Sequence, residues 1–272
     1  MRVAFQGEPG AYSEQAVFNY FGKVETKPCE SFDVVFDSVV SDACDYGLIP
    51  IENSLAGSIH QNYDLLLRHD LHIVGEYLLR VQHCLIALPG VKMEDIKKAI
   101  SHPQALGQCA AYLRNLGIKP ETVYDTAGSV KMLKASGERT TAAIASRRAA
   151  DLYEMNILEE GIEDNPENYT RFLAISKNAI QPEGDAKTSI VFTLKNQPGS
   201  LFKAMSVFAL RDIDLTKIES RPLQGSPWEY LFYIDFIGAA HEETVRKALD
   251  HLGEYALMLR VLGSYTRYKR SS

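Results

Sequence analysis

The sequence lacks the residue patterns of a metalloprotein or a redox protein. It has four cysteines among 272 residues and no C-x-x-C pair; they are Cys29, Cys44, Cys84 and Cys109. Metal and redox sites usually need cysteines that lie close together in the sequence, so we interpret these as buried, reduced thiols. We therefore expect no metal site and no cofactor.

The sequence also has no excess of basic residues and no long apolar run. Lys and Arg number 29 against 35 Asp and Glu, which gives a net charge of −6. This balance argues against a nucleic-acid partner, which would need a basic face to neutralise phosphates. No stretch approaches the ~18 consecutive apolar residues of a membrane span, and the apolar run at the N-terminus is too short for a signal peptide. We expect a cytoplasmic protein with no membrane partner.

The order of predicted strands and helices divides the chain into two parts. A length of 272 residues favours two domains over one. From residue 1 to about 178, strands and helices alternate, which is typical of a mostly parallel sheet covered by helices. This part could be one doubly wound sheet or two lobes beside a cleft. We favour two lobes, because the long adjacent strands predicted near residues 71–88 would connect them well.

A different pattern follows a polar linker, NAIQPEGDAK, at residues 178–187. From there to residue 266 the predicted order is βαββαβ, that of a ferredoxin-like, four-stranded sheet with two helices on one face. A turn is predicted at residues 225–227, and Pro222 indicates an edge strand. The predicted strands are 187–195, 214–221, 229–237 and 257–265, and the predicted helices are 200–211 and 242–252.

Polar side chains follow two of the predicted strands in the first part. Asn53 and Ser54 end the segment IPIENS, just before a predicted helix. The segment SHPQ at residues 101–104 also joins a strand to a helix, and that helix carries Gln108. Ligands of open α/β folds gather beyond the carboxyl ends of strands, and free amides at a helix start suit an anionic group. The structural alternative is that Asn53 and Ser54 only cap the next helix and that His102 is a surface residue, not an acid or base.

A hydroxyl and a cation begin the last strand of the first part, in the segment NYTRF. Thr170 offers a hydrogen-bond donor, and Arg171 offers a cation that can hold a carboxylate. Because neighbouring side chains alternate along a strand, Arg171 can instead face away from Thr170. The structural alternative is that Thr170 and Phe172 are ordinary strand formers and that Arg171 makes a surface ion pair.

Two segments of the second part could bind an amino acid. NQPGSLF, at residues 196–202, joins a strand to a helix start, where backbone N–H groups could hold a carboxylate. IESRP, at residues 218–222, ends the next strand, and Glu219 could neutralise an ammonium group. Both segments could equally be an ordinary loop and an ordinary strand end.

Taken together, these segments resemble the prephenate dehydratase family over essentially the whole chain. Each motif is short, but five of them in the right order on both sides of a linker are specific. The motifs are ENS at residues 52–54 with Gly57, SHPQ at residues 101–104 with Gln108, Asn168 with TRF at residues 170–172, Gly199 with Leu201, and ESRP at residues 219–222. The last two look like the effector signatures of the family's regulatory ACT domain.

The resemblance implies a fold and a reaction. It implies a two-lobed α/β catalytic domain over residues 1–178, similar to type 2 periplasmic binding proteins, and an α+β ferredoxin-like ACT domain over residues 187–266. The implied activity is that of a cofactor-free carbon–oxygen lyase that converts prephenate to phenylpyruvate and is inhibited by L-phenylalanine. A homodimer or homotetramer joined through the ACT domains is also implied. Arogenate, the aminated substrate of the related arogenate dehydratases, remains an alternative.

The family also implies residue roles, with Thr170 as the catalytic hydroxyl. The implied substrate-binding residues are Asn53, Ser54, Ser101, Gln104, Gln108, Arg171 and Phe172. The implied effector-binding residues are Asn196, Gly199, Ser200, Leu201, Glu219 and Ser220. The sequence departs from the family where Ser200 and Phe202 replace the usual Ala and Val, and where Ala11 stands in place of a Ser or Thr found in some members.

Overall fold

The computed structural model describes residues 1–223 and 229–269 and divides into two compact units. The first unit comprises Met1–Asn62 and Tyr77–Phe172, and the second comprises Tyr63–Glu76 and Leu173–Ser272. The turn predicted at residues 225–227 lies outside the described residues. Within the described ranges, no helix is long and apolar enough to cross a membrane.

The strands and helices up to residue 176 alternate as the sequence predicts. In chain order they are β1 (Arg2–Gln6), α1 (Tyr12–Phe21), β2 (Glu25–Cys29), α2 (Phe32–Val40), β3 (Tyr46–Asn53), β4 (Gly57–Ser58), α3 (His60–Arg68), β5 (His72–Arg80), β6 (Cys84–Ala87), β7 (Lys98–Ser101), α4 (Pro103–Gln108), α5 (Ala110–Asn115), β8 (Lys119–Thr122), α6 (Thr126–Ser136), β9 (Thr141–Ala145), α7 (Arg147–Tyr153), β10 (Asn156–Glu160) and β11 (Tyr169–Ser176).

Several of these helices begin at a side chain that caps the free backbone amides. Ser31 accepts from the Val34 N–H at 3.4 Å at the start of α2. Asp125 accepts from the Gly128 N–H at 2.6 Å at the start of α6. These short polar side chains satisfy donors that have no partner within the helix, so the sequence fixes the helix starts locally.

Two sheets, not one, form the core of the first unit. The first sheet has the order β2–β1–β3–β11–β5, with β4 paired to β3, and the second has the order β10–β6–β9–β7–β8. The first lobe is therefore residues 1–62 with 77–80 and 169–172, and the second lobe is residues 84–160. The predicted two-lobed fold is confirmed.

The second sheet is less parallel than the sequence pattern suggests. Strand β7 is parallel to β8 and β9, but β6 is antiparallel to both β9 and β10. Strand β6 follows β5 through a three-residue connection, so no βαβ crossover fixes its direction. The expectation of a mostly parallel sheet fails in this lobe for that reason.

The chain passes between the lobes twice, through residues 81–83 and residues 161–168, which we call the crossovers. The Val81 N–H donates to the Asn168 carbonyl at 2.8 Å, and the Gly161 N–H donates to the His83 carbonyl at 2.9 Å. The predicted connection near residues 71–88 is the first of these segments. The two crossovers thus run side by side and hold each other by backbone hydrogen bonds.

The second unit contains the predicted βαββαβ domain. Its elements are β12 (Ala186–Leu194), α8 (Ser200–Ala209), β13 (Leu215–Pro222), β14 (Tyr230–Ile237), α9 (Glu243–Tyr255) and β15 (Ala256–Thr266). The sheet order is β13–β14–β12–β15, so Pro222 ends an edge strand as predicted. Both helices pack on one face of the sheet, where Phe192, Phe208 and Phe236 are fully buried.

The opposite face of this sheet contacts residues 63–76, which precede it in the sequence by more than a hundred residues. Lys187 Nζ lies 2.8 Å from Glu76 Oε1, and the Glu76 side chain is fully buried. Tyr233 Oη donates to the Tyr63 carbonyl at 3.0 Å. At Gly263 an added Cβ would meet the Ile73 carbonyl oxygen, so this strand requires glycine there. The second unit therefore includes a segment that the sequence pattern assigned to the first part.

Candidate active site

A cavity of about 200 Å³ lies within the first unit and has walls from both lobes and both crossovers. Its position beyond the carboxyl end of β3 is the usual place for a ligand in an α/β fold. The lining residues are Tyr12, Ser13, Pro50, Asn53, Ile59, Val81, His83, His102, Gln104, Ala105, Gln108, Thr126, Asn168, Thr170 and Phe172. None of these described lining residues is an Asp, Glu, Lys or Arg, so the cavity offers neutral polar groups on an apolar background.

Asn53 holds Thr170 at one wall of this cavity. Asn53 Nδ2 donates to Thr170 Oγ1 at 3.0 Å and to Asn168 Oδ1 at 2.8 Å. Its Oδ1 accepts from the N–H groups of Leu55 and Ala56 at 3.0 and 2.9 Å, which fixes the orientation of the amide. Because Thr170 Oγ1 accepts from Asn53, the Thr170 hydroxyl keeps its own hydrogen for a group in the cavity.

Asn168 contributes an unused donor to the same wall. Its side chain is 1% exposed, and its Oδ1 accepts from Asn53 Nδ2. Among the described residues, none accepts a hydrogen bond from Asn168 Nδ2. A buried donor without a partner costs about 1–3 kcal/mol, so a buried amide that lines a cavity indicates a ligand acceptor.

The start of α4 forms the facing wall in the second lobe. Pro103 is the first residue of the helix, and His102 Nδ1 accepts from the Gln104 N–H at 3.2 Å. His102 therefore caps the helix through one ring nitrogen while it lines the cavity. Gln104 and Gln108, both predicted to bind substrate, also line it.

A chain of polar side chains connects the two lobes through the first crossover. Tyr12 Oη lies 2.7 Å from His83 Nδ1 and 3.0 Å from the Gln82 carbonyl. His83 Nε2 lies 2.8 Å from Gln108 Oε1. Burial lowers the pKa of His83 below its ordinary value, against the opposing effects of its hydrogen bond to Gln108 and the charge of Glu163. Burial also raises the pKa of Tyr12 well above its ordinary value, so both groups are neutral at neutral pH.

Three of the predicted substrate-binding residues lie outside the lining of this cavity. Ser54 Oγ donates to the Glu167 carbonyl at 2.7 Å and accepts from the Tyr169 N–H at 2.9 Å. Ser101 is fully buried, and its Oγ donates to the Ile144 carbonyl at 2.6 Å. Both hydroxyls are used within the protein, so in this structure they brace β3 and β7 and do not reach the cavity.

Arg171 is the third of these residues. Thr170 and Phe172 both line the cavity, and Arg171 lies between them on β11. Side chains alternate along a strand, so Arg171 points away from the face that Thr170 and Phe172 share. This alternation and the absence of Arg171 from the cavity lining argue against a carboxylate contact by Arg171, and its substrate-binding role stays a prediction.

Tyr12 and His83 are among the lining residues that the sequence-based set does not contain. Tyr12 lies two residues after Gly10, at the start of α1, and His83 lies within the region of long adjacent strands predicted near residues 71–88. Their pairing depends on the crossover, which brings together residues 71 positions apart. No local pattern marks such a pair, although a histidine before an apolar run is a weak signal.

Gly10, the second glycine of the turn at residues 7–10, packs against the backbone of Ala149. Gly10 has a φ of +92°, and an added Cβ would lie 3.0 Å from the Ala149 Cα. Ser146 Oγ also donates to the Gly10 carbonyl at 2.6 Å. Glycine is needed here because the turn packs closely against α7 of the second lobe.

A larger cavity of about 620 Å³ lies elsewhere in the first unit. Its lining includes Glu8, Glu30, Asp125 and Lys131, and Lys131 Nζ pairs with Glu8 Oε2 at 3.6 Å. None of the predicted substrate-binding residues lines it. The smaller cavity is therefore the candidate active site.

The predicted effector residues fall in two separate places of the second unit. Gly199, with a φ of +80°, precedes α8, and Ser200 begins that helix. Glu219 and Ser220 lie on β13, which is separated from β12 by β14. Glu219 is half-buried and Ser220 is exposed, so their side chains lie on opposite faces of the strand.

Comparisons with known proteins cover nearly the whole chain. A family model described as prephenate dehydratase matches residues 3–180, and an ACT domain model matches residues 188–254. The chain is 50% identical to the arogenate dehydratase/prephenate dehydratase 2 of Arabidopsis thaliana, over 97% of this chain and 72% of that protein. It is also 50% identical to arogenate dehydratase 2 of Petunia hybrida, over 97% of this chain and 71% of that protein.

Solved structures give similar matches. The structure of a prephenate dehydratase from Arthrobacter aurescens in complex with L-Phe aligns with a TM-score of 0.89 and 32% identity, over 98% of this chain and 90% of that one. GqqA, described as a novel type of quorum-quenching acylase, aligns with a TM-score of 0.92 and 33% identity, over 98% of both chains.

Proposed function

Since the chain belongs to the prephenate dehydratase family, as its motifs predict, we propose that its cavity converts prephenate to phenylpyruvate. The chain is thus an enzyme, a carbon–oxygen lyase. In the proposed reaction one proton is consumed and one CO2 and one water leave. The ring C–O bond breaks as its oxygen takes up the proton. The bond to the ring carboxylate breaks as its electron pair enters the ring, which becomes aromatic.

One contact carries this proposal, the hydrogen bond from Asn53 Nδ2 to Thr170 Oγ1 at 3.0 Å. It leaves the Thr170 hydroxyl with a free hydrogen in the cavity, and this hydrogen can be donated to the departing ring oxygen. A fixed donor to a leaving oxygen stabilises charge that develops only in the transition state, so it speeds the reaction. In our proposal Thr170 is the catalytic residue.

Neutral amides would hold the substrate carboxylates. Gln104, Gln108 and Asn168 line the cavity, and Asn168 Nδ2 is the buried donor described above. Neutral donors bind an anion without the strong ground-state stabilisation that a buried cation would add. Phe172 adds an apolar surface for the ring, and Ser54 and Ser101 would act by holding the strands, without substrate contact.

Arogenate is the alternative substrate, and the names of the plant relatives support it. Arogenate differs from prephenate by an ammonium group in place of a ketone. A buried ammonium needs a charged or strongly accepting partner, and the described lining has no carboxylate. This favours prephenate. The test compares kcat/KM for the two substrates with one purified protein, and a higher kcat/KM for arogenate would reverse the preference.

Amide hydrolysis is a second candidate because of the structural match to GqqA. An acylase with a Thr nucleophile needs an adjacent base to activate the hydroxyl. In this site Thr170 accepts from an amide, and His83 contacts Tyr12 and Gln108, so the geometry favours dehydration. Hydrolysis of an acylated amine by the purified protein, abolished in Thr170→Val, would support the acylase instead.

We propose that L-phenylalanine inhibits the enzyme through the second unit. The Phe complex of the Arthrobacter relative and the ACT match support this regulation. The proposed ligands are the loop Asn196–Leu201 with Gly199 and Ser200, and Glu219 and Ser220 on β13. Replacing Glu219 by Gln together with Gly199 by Ala should weaken inhibition, while Glu254→Gln, at an exposed position on α9, should leave it unchanged. Unaltered inhibition in the double variant would exclude this site.

The remaining expectations are also proposals. We place the domain boundaries at residues 1–178 and 187–266, and we propose a homodimer or homotetramer joined through the ACT domains. Light scattering with and without L-phenylalanine measures the assembly.

The cytoplasmic location expected from composition is also a proposal, and the Arabidopsis relative is described as chloroplastic. Cell fractionation tests the location.

A further inference from the structure

Three neutral side chains form one continuous path from the first lobe to the second. Tyr12 lies on α1 of the first lobe, His83 lies in the first crossover, and Gln108 ends α4 of the second lobe. The contacts are 2.7 Å from Tyr12 Oη to His83 Nδ1 and 2.8 Å from His83 Nε2 to Gln108 Oε1. All three residues line the candidate active site.

The contacts determine which atoms of the path carry hydrogen. Gln108 Oε1 can only accept, so the proton of a neutral His83 must be on Nε2. His83 Nδ1 is then an acceptor, and the Tyr12 hydroxyl directs its one hydrogen to this nitrogen at 2.7 Å, with the Gln82 carbonyl as a second, more distant acceptor at 3.0 Å. With its oxygen bound to His83, Gln108 has its NH2 group, two donors, left for the cavity.

We propose that His83 is a positioning residue that turns the donor end of the Gln108 amide toward a substrate carboxylate. The inference rests on the proposed function, because it assigns Gln108 to an anionic substrate. A Gln amide without a fixed partner can present either its oxygen or its NH2 group, and only the NH2 group attracts a carboxylate. Holding the amide in one orientation removes the unfavourable one before the substrate arrives.

The surroundings of His83 support a fixed, neutral ring. Its backbone N–H donates to Glu163 Oε2 at 2.9 Å, and Arg80 Nη2 pairs with Glu163 Oε1 at 3.4 Å. The ring is 2% exposed and stands edge-on to Tyr12, with 5.5 Å between ring centroids. The backbone anchor holds the crossover while the ring nitrogens are left for Tyr12 and Gln108.

A double-mutant cycle tests whether His83 acts through Gln108. His83→Leu removes the Nε2 donor and should raise KM for prephenate about tenfold, with kcat changed less than about threefold. In a Gln108→Ala background, where no amide remains to be oriented, His83→Leu should change KM by less than about twofold. His83→Gln keeps an N–H donor at this position and should restore most of the lost affinity.

The same variants distinguish a positioning role of His83 from a loss of protein stability and from a failure of the proposed function. Thermal unfolding identifies a misfolded variant, and affinity for phenylpyruvate, measured by calorimetry, follows anion binding without turnover. If His83→Leu weakened binding equally in the wild-type and Gln108→Ala backgrounds, or if His83→Gln did not restore binding, the positioning role would be overturned. A wild-type protein that turns over neither prephenate nor arogenate would overturn the proposed function, whereas the phenylpyruvate cycle would still decide the role of His83.

Discussion

Asn53 donates a hydrogen bond through Nδ2 to Thr170 Oγ1 at 3.0 Å, although the two residues are 117 positions apart. The contact joins the end of β3 to the start of β11, which are neighbours in the first sheet. It places a hydroxyl with a free hydrogen beside a second amide, that of Asn168. The candidate active site is organised around this contact.

Changing Asn53 to Asp should disrupt this wall. The carboxylate would still accept from Leu55 and Ala56, but it would face three acceptors, Thr170 Oγ1, Asn168 Oδ1 and the Tyr169 carbonyl, in place of donating to them. We expect the free energy of unfolding to fall by about 1–3 kcal/mol, measured by urea denaturation.

The variant should also lose activity. We expect kcat to fall at least about tenfold, because a misplaced Thr170 hydroxyl no longer stabilises the transition state. Asn178→Asp, at an exposed position, is the control and should change neither quantity. Wild-type stability and turnover in Asn53→Asp would mean that the Asn53–Thr170 contact is unimportant.

Glu76→Gln should destabilise the second unit. Glu76 is buried and accepts from Lys187 Nζ and from the Tyr268 N–H at 2.8 and 3.1 Å. Removing the negative charge leaves the buried Lys187 ammonium without its counter-charge, which typically costs about 3–5 kcal/mol. Urea denaturation followed by circular dichroism measures the change, and Glu254→Gln is the exposed control. A loss below about 1 kcal/mol would place this pair among the weak surface pairs.

His83 should make the free energy of unfolding depend on pH in mildly acidic solution. Burial lowers its pKa in the folded protein, so the unfolded chain takes up a proton near pH ~6.5 that the folded chain does not. Between that pH and the lower folded pKa, the unfolded state binds more protons, and the free energy of unfolding falls as pH falls. Glu163, which acts against the lowering of the pKa, and Arg80, its partner, are the charged groups beside this histidine.

The measurement is the free energy of unfolding of wild type and of His83→Gln, obtained by urea denaturation as a function of pH. The pH runs from about 7.5 to about 5, a range that spans the ordinary histidine pKa. The variant should lose less stability over this range than wild type does. Identical pH dependence in the two proteins would show that His83 does not have a lowered pKa.

The sequence predicts the architecture where local chemistry determines it. Alternating apolar residues predict β12 through β15 within a few residues of their observed ends, and Pro222 predicts the edge position of β13. Ser31 caps the start of α2 through its side chain. These features depend on neighbours in the chain, so one sequence is enough to find them.

Other features depend on tertiary contacts and escape the same analysis. Strands β2 and β8 contain Pro28 and Pro120, which weaken a strand pattern, and both are edge strands, where proline is tolerated. The second unit includes residues 63–76 because Lys187 and Tyr233 bind them across the sheet, which no local pattern indicates.

In the candidate active site, too, local motifs predict some features and tertiary contacts determine the others. Motifs locate Asn53, Gln104, Gln108, Thr170 and Phe172, all of which line the cavity. They do not distinguish these residues from Ser54 and Ser101, whose hydroxyls bind backbone carbonyls. A motif identifies a segment, but the hydrogen bonds that a folded chain makes decide which side chains in that segment remain available to a ligand.

The most direct test is the turnover of prephenate by Thr170→Val beside Thr170→Ser. The valine has nearly the same shape without the hydroxyl, so kcat should fall roughly 10²–10⁴-fold, whereas serine keeps the donor and should lose less than about tenfold. Circular dichroism confirms that both variants are folded. Near wild-type turnover in a folded Thr170→Val protein would contradict the account.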